Sequence, residues 1–571
     1  MDYRKHTGAP NRKTYIKKLM RKGVNLSWFI ELNNGKKMYA RELKLENSDI
    51  TELKRRGVIK KTKNQKKKDS TLWAKGNQLS KYIETMKEMG MKIELEKWRG
   101  KPYYTIKTKL PDSIFKMVDN VTSYQIKGYE YIDNRIYKCP VCDFWILKQN
   151  AISRKCKRCG ELCEDGLWDG VIRLLSKTKA GEYYFPAGLL ETIETTLKPI
   201  GVDIEIKKPV ECHKTSDQKL GLAWIGPKTR SHQDEAYTKA MERLKNERNV
   251  ILEMPTGSGK TLTAIKIIRD LDVPTLILVH KKVLMNQWVK AFKTNTGYEP
   301  KQYGDKSKEI GPITIGMVQS ISKNSNFDIG FFDCVVVDEC HHTPCNETYK
   351  VMMKSDARYK FGLSATARRE DGNELKMIAA IGSIVKVATT RELIEKGILA
   401  KPTIEYIIAP AARRGSTYAE SYKNQITLND ERSELIARRA YKFAKEGKSV
   451  LIAVDRVMHG TRLNKMIKGS KFIHGKTNSE ERNEVLDAFE KKELLILIST
   501  LLNEGSDIPS LDALIIAGGG KSEIAQIQKI GRALRVTNKK DSATIVDVQD
   551  PGKWLRDHAQ QRAATYAKMF G

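Results

Sequence analysis

A chain of 571 residues, 40% hydrophobic and 30% charged, carries enough apolar material for several packed cores, which excludes wholesale disorder. No apolar run is long enough to span a bilayer, and the opening MDYRKHTGAPNRK lacks the apolar stretch of a secretory signal. The net charge of +34, from 103 basic and 69 acidic residues, points to a polyanionic partner, because about 2 to 8 charges suffice to keep a small domain soluble.

The surplus lies at the front, where residues 1–230 hold 49 basic and 27 acidic side chains, an excess of 22. A cytoplasmic location is expected, so the nine cysteines read as thiols or metal ligands and not as disulfides. Residues 1–70 alone hold 21 basic and 7 acidic side chains. Within them MYARELKLENSDITELKRRGVIKK has two short helical patterns around a polar turn, then β-branched and basic residues, which predicts a winged-helix-like module. The KKTKNQKKKDS that follows would hold nucleic-acid phosphates by charge, without reading bases.

Residues 71–227 are expected to form a nucleic-acid-binding α+β region. Inside it, CPVCDFWILKQNAISRKCKRCGELC places Cys139 and Cys142 in one C-x-x-C and Cys156 and Cys159 in a second. Two such knuckles suit one Zn²⁺, predicting a zinc ribbon over 137–165; redox chemistry is the rival for any single C-x-x-C. Four thiolates would close the coordination sphere, so the ion would staple the hairpin without activating water; Cys163 could replace Cys159 as the fourth ligand, but the C-x-x-C spacing favours Cys159 and leaves Cys163 a spare thiol. From Trp168 to Ile206 the apolar spacing predicts a compact β-β-α-β-like unit.

At Asn249 the text turns to NVILEMPTGSGKTLTAIKII, which reads as strand, Gly-rich turn and helix. Pro255, Thr256, Gly257, Ser258 and Gly259 would shape a phosphate loop, Lys260 would reach the β and γ phosphates of ATP, and the Thr261 hydroxyl would ligate Mg²⁺. Met254 stands where the GxxxxGK[ST] pattern has its first glycine. Downstream, the apolar FFDCVVV delivers Asp338 and Glu339 to the end of a buried parallel strand. Asp338 would hold the Mg²⁺ shell and Glu339 would orient and deprotonate the attacking water.

DECH at 338–341 followed by SAT at 364–366 resembles the superfamily 2 helicases. TLILVHKKVLMNQW, ITIGMVQSI, VLIAVDR, STLLNEGSDIPSLDALI and QKIGRALR resemble further motifs of that family in order. The resemblance covers residues 228–571 and implies two RecA-like parallel-sheet domains, 228–398 and 399–571, behind the basic α+β region. It also implies that Gln233 reads adenine, that His341, Ser364 and Thr366 transmit nucleotide state, and that Gly505 and Asp507 serve the interdomain site. Lys281, Gln319, Arg456 and Thr500 are implied as nucleic-acid contacts. Gln528, Arg532 and Arg535 are implied as catalytic groups of the second domain. The two arginines, three apart on a helix, share a face and could reach an ATP held by the first domain when the domains close.

Arg369, Glu370 and Asp371, directly after SAT, resemble the RED element of XPB-like DNA helicases, implicated in duplex opening. Residues 168–206 resemble the domain preceding the motor in phage UvsW-type branch-migrating helicases and their poxviral and XPB-like relatives. The expected function is therefore an ATP-dependent, monomeric helicase or translocase acting on branched, forked or duplex DNA. Two alternatives stay open: an RNA-unwinding or transcription-associated ATPase, and an ATP-gated nucleic-acid clamp that does not unwind.

Overall fold

The computed structural model describes residues 29–31, 37–39 and 91–570, except 98–101, 127–134, 140–144, 148–149, 152–154, 157–160, 168, 170, 179, 208–218, 247–248, 305–306, 367–372, 414, 502–510 and 521–541. The chain divides into two compact units, Met1–Met91 and Lys92–Gly571. In the first, β1 (Phe29–Glu31) pairs antiparallel with β2 (Lys37–Tyr39). The expected winged helix otherwise falls outside the described residues.

The second unit opens with β3 (Lys92–Lys97), β4 (Tyr103–Ile106), α1 (Asp112–Val121), β5 (Ser123–Gln125), β6 (Arg135–Lys138), β7 (Trp145–Leu147), β8 (Glu164–Leu167), β9 (Val171–Arg173), β10 (Ser176–Lys177), β11 (Tyr183–Pro186), α2 (Leu190–Leu197) and β12 (Asp203–Lys207). Strands β10, β11, β4, β3 and β12 form one sheet in that order, with only β12 and β3 parallel. The unit expected over 168–206 thus completes its sheet with two strands lying well upstream. Alternation explains the pairing: Ile93 and Leu95 point into the core with Phe185, Leu189, Ile193 and Leu197, while Lys92 and Glu94 face out. The cysteine-rich stretch is an antiparallel β7-β6-β8 sheet inserted between β5 and β9.

The first motor domain comprises α3 (Ser231–Asn246), β13 (Asn249–Glu253), α4 (Lys260–Leu271), β14 (Thr275–Val279), α5 (Lys282–Thr296), β15 (Lys301–Tyr303), β16 (Ile313–Met317), α6 (Val318–Lys323), β17 (Cys334–Val337), α7 (Asn346–Lys354), β18 (Tyr359–Ser364), α8 (Glu374–Ala380) and β19 (Ile384–Lys386). Its sheet, ordered β15-β16-β14-β17-β18-β13-β19, is parallel throughout. Covered on both faces, its strands read as unbroken apolar runs, TLILV and CVVV being wholly buried.

The second motor domain runs through α9 (Thr390–Glu395), β20 (Lys401–Ile408), α10 (Tyr418–Tyr422), α11 (Asp430–Lys445), β21 (Val450–Ala453), α12 (Val457–Met466), β22 (Ser470–Ile473), α13 (Ser479–Glu490), β23 (Ile496–Ser499), β24 (Ala513–Ile516), β25 (Ser542–Gln549) and α14 (Lys553–Phe570). Its parallel sheet is ordered β20-β25-β24-β21-β23-β22. Leu393 of α9 packs in this domain's core beside Leu399. Two fully buried ion pairs tie its helices to β25 and the turn after it: Arg432 with Asp550 at 2.7 Å, and Arg562 with Asp547 at 2.7 Å.

The N-terminal sheet is fastened to the first motor domain. Tyr103 packs against the core formed by Met352, Val351 and Met377, and Arg243 of α3 pairs with Glu191 of α2 at 2.9 Å. Gly188 lies so close to α8 that a Cβ there would stand 2.1 Å from the Ile378 carbonyl oxygen. Among the described residues no helix is long and apolar enough to cross a membrane.

Candidate active site

The C-terminal ends of β13, β14, β17 and β18 meet at one edge of the first motor sheet, where an open parallel sheet presents ligand-binding loops. After β13 the chain makes its tight loop at Gly257 (φ 84°) and Gly259 (φ 87°), then enters α4 at Lys260. The Thr256 and Ser258 hydroxyls are buried without a hydrogen-bond partner. The Lys260 ammonium has a long 3.4 Å contact to the Met254 carbonyl. Unmet buried donors beside a lysine at a helix N-terminus suit an anionic ligand, so this loop fits the polyphosphate of ATP. Thr261 is the second residue of α4, beside the loop.

Gln233 is brought to the same loop. Its side-chain oxygen accepts from the Arg230 amide at 2.8 Å and its Nε2 donates to the Ser258 carbonyl at 3.1 Å. His232 reaches that carbonyl too, through Nε2 at 2.8 Å. Gly259 is required twice over: its φ favours glycine, and a Cβ would fall 2.0 Å from Gln233 Nε2.

Asp338 and Glu339 follow β17 as expected. Asp338 Oδ1 accepts from the Glu339 amide at 2.9 Å, and Oδ2 accepts from the Trp288 indole at 2.8 Å. Burial, reinforced by the neighbouring Glu339 charge, pushes the Asp338 carboxyl up to about 6. A buried carboxylate of this kind, beside Lys260 and the phosphate loop, suits a divalent cation. Mg²⁺ would supply charge neutralisation on the phosphates, with Asp338 and Thr261 as the residues to hold it. Glu339 sits at φ 47°, a left-handed conformation uncommon for a residue with a side chain, and its Oε2 is buried without a hydrogen bond.

His341 Nδ1 lies 3.4 Å from Glu339 Oε2 and 3.2 Å from Ser364 Oγ. Ser364 in turn donates to the Thr366 carbonyl at 2.7 Å and accepts from its amide at 3.1 Å. The Met254 amide donates to the Ser364 carbonyl at 3.0 Å, so hydrogen bonds join the phosphate loop, His341 and the SAT segment, with Glu339 close beside His341.

Lys281 and Gln319 stand on the same edge, Lys281 capping α5 and Gln319 donating to the His280 carbonyl at 3.1 Å. Gln319 lines a groove of about 1040 Å³ whose walls also include Lys282, Lys308, Lys323 and Asn326. In the second domain, Arg456 follows β21 and Thr500 follows β23, at the corresponding sheet edge. The Arg456 guanidinium lies 5.6 Å from the Tyr422 ring centre. Gly505, Asp507, Gln528, Arg532, Arg535, Arg369, Glu370 and Asp371 lie outside the described residues.

Of the zinc candidates, Cys142 and Cys159 also lie outside the described residues. Cys139 and Cys156 are buried against each other together with Cys163, the thiol that the C-x-x-C spacing leaves spare. The Cys156 amide donates to the Glu161 carbonyl at 2.7 Å, and Lys155 bridges to Leu162, so a hairpin turns Cys163 back toward Cys156. Among the described residues no group of three or more His, Cys, Asp or Glu is arranged to hold a metal ion.

The sequence pattern does not single out His232, Trp288 or the groove lysines. The signals available are the position of His232 beside Gln233 and the tryptophan closing the apolar face of α5. The lysines of the groove come from segments too far apart in sequence to form a visible cluster.

Two parallel-sheet domains, the first bearing a phosphate loop and an acidic strand end on one sheet edge, define a nucleotide-driven two-domain motor. Residues 226–369 match the family described as Type III restriction enzyme, res subunit, and residues 432–537 match the Helicase conserved C-terminal domain. The chain is 27% identical over 418 residues to the ATP-dependent DNA helicase uvsW of Enterobacteria phage T4, covering 67% of this chain and 82% of that protein. It is 26% identical over 398 residues to the DNA 3'-5' translocase XPB2 of Sulfurisphaera tokodaii, covering 61% and 88%. The crystal structure of T4 UvsW aligns at 22% identity with a TM-score of 0.38, covering 84% of this chain and 98% of that one. Together the two domain matches and these relatives support a superfamily 2 DNA helicase related to UvsW and the XPB proteins.

Proposed function

We propose that the protein is an ATP-dependent DNA helicase or translocase, and that it works on branched, forked or duplex DNA as a monomer. The observation that carries the reading is one sheet edge on which Lys260, Asp338 and Glu339 adjoin a lysine-lined groove. Mg²⁺ would neutralise the phosphates, Glu339 would position water, and Arg532 and Arg535 would complete the site on domain closure. Relatives described as a DNA helicase and a DNA translocase favour DNA over RNA. The basic front of the chain and the sheet docked beside the motor favour a substrate larger than a single strand.

Zn²⁺ is part of the proposal, as a structural staple held by Cys139, Cys142, Cys156 and Cys159. The shared burial of Cys139 and Cys156 supports it, and the presence of Cys163 in the same cluster offers a fifth thiol. Elemental analysis of the purified protein checks it, one zinc per chain being expected.

The deciding experiment compares ATP hydrolysis and strand displacement on forks, four-way junctions, blunt duplexes and RNA hybrids, for the wild type and Glu339→Gln. Stimulation by branched DNA with displacement lost in Glu339→Gln is expected. Stimulation by RNA alone would overturn the DNA assignment, and absence of displacement by the wild type on every substrate would favour a clamp.

A further inference from the structure

Trp288 is the largest fully buried side chain among the described residues, at 1% exposure, and its indole N–H is spent on a carboxylate. The bond is 2.8 Å, to Asp338 Oδ2. An indole is a donor with no acceptor capacity, so burying it requires one partner, and a backbone carbonyl would serve packing as well. The partner is instead the residue placed to hold Mg²⁺. With the Glu339 amide on Oδ1, the carboxylate carries one fixed donor on each oxygen. Its plane is thereby set, while each oxygen keeps a lone pair for the ion or its water.

We infer that Trp288 is a positioning residue for Mg²⁺, holding the Asp338 carboxylate in the orientation the ion requires and tying it to the helix that borders the basic groove. This rests on the proposed ATP site. The tie is short: α5 starts at Lys282, which lines the groove, and Trp288 follows six residues later, roughly 9 Å along the helix. A shift of α5 on the groove side therefore reaches the carboxylate through a single hydrogen bond.

Trp288→Phe keeps an aromatic ring and removes the N–H. Binding of a fluorescent ADP analogue is measured against Mg²⁺ concentration and again in EDTA, with thermal unfolding followed in parallel. The Mg²⁺ concentration for half-maximal tightening is expected to rise about ten-fold, the usual scale for losing a partner that orients a metal ligand. Affinity in EDTA should stay within two-fold. Mn²⁺, which binds such ligands more tightly, should recover part of the loss. An unchanged Mg²⁺ requirement, or an equal loss of affinity in EDTA, overturns the inference. A wild type with no Mg²⁺-dependent nucleotide binding would instead overturn the ATP site itself.

Should Trp288→Phe fail to fold, the indole N–H correlation spectrum of the wild type decides. One indole resonance should move on adding Mg²⁺ and ADP, and the same resonance should move upfield in Asp338→Ala. Indole resonances indifferent to both changes overturn the inference.

Discussion

His341 Nδ1 and Ser364 Oγ stand 3.2 Å apart, joining the end of β17 to the end of β18 across the first motor sheet. Because His341 also approaches Glu339 and Ser364 also holds Thr366, this pair is where the Glu339 carboxylate meets the SAT segment. Ser364→Ala removes the link without touching Lys260 or Asp338. Base pairs opened per ATP are expected to fall about five-fold, the equivalent of one neutral hydrogen bond of about 1 kcal/mol, with the hydrolysis rate itself changed less. Paired ATPase and strand-displacement assays read the ratio.

Gly259→Ala tests the phosphate loop. The substitution meets both an unfavourable φ and Gln233, so the KM for ATP is expected to rise more than about ten-fold.

Nucleic-acid binding in the groove is tested by its salt dependence. Replacing Lys282, Lys308 and Lys323 together with alanine should reduce the slope of log affinity against log salt by roughly 2 to 3 for duplex DNA. Basal ATP hydrolysis without nucleic acid should be retained. An unaltered slope would place the phosphates elsewhere.

His459 gives the second motor domain an acid-sensitive core. It is fully buried, neither ring nitrogen has a hydrogen-bond partner, and burial together with the nearby Arg432 charge pushes its pKa down to about 3 from 6.5. The unfolded chain takes up this proton near pH 6.5 and the folded chain does not, so its contribution is complete above pH 6.5 and is lost as pH falls toward 3. At pH 5 the loss is about 2 kcal/mol. In His459→Leu the drop in unfolding temperature between pH 7 and pH 5 should be smaller than in the wild type.

The motor was legible because its chemistry is local. PTGSGKT and VVVDECHH each carry strand, turn and functional group within a dozen residues, and the long-range part is only the order of a parallel sheet. The N-terminal sheet was less legible, since β3 and β12 pair although a hundred residues separate them, and no spacing rule joins Ile93 to Ile204. Trp288 was hidden for a different reason. On an amphipathic helix a tryptophan reads as core, and it is core; its one polar atom acquires meaning only when β17 brings Asp338 within reach. Cys163 was not singled out for a related reason, because C-x-x-C spacing reads only near neighbours in sequence whereas the pairing of Lys155 with Leu162 brings Cys163 into the cluster of Cys139 and Cys156.

The contact at Gly188 has a consequence for how such a protein can diversify. A turn seated directly on the α8 carbonyls leaves no room for a cushioning side chain, so the N-terminal sheet rides on the first motor domain as an attached tool on its holder. Strands on the far side of that sheet, and the cysteine-rich insertion between β5 and β9, can be exchanged without altering the seat. Inheritance can then vary that sheet and its insertion while the two motor sheets are left as they were.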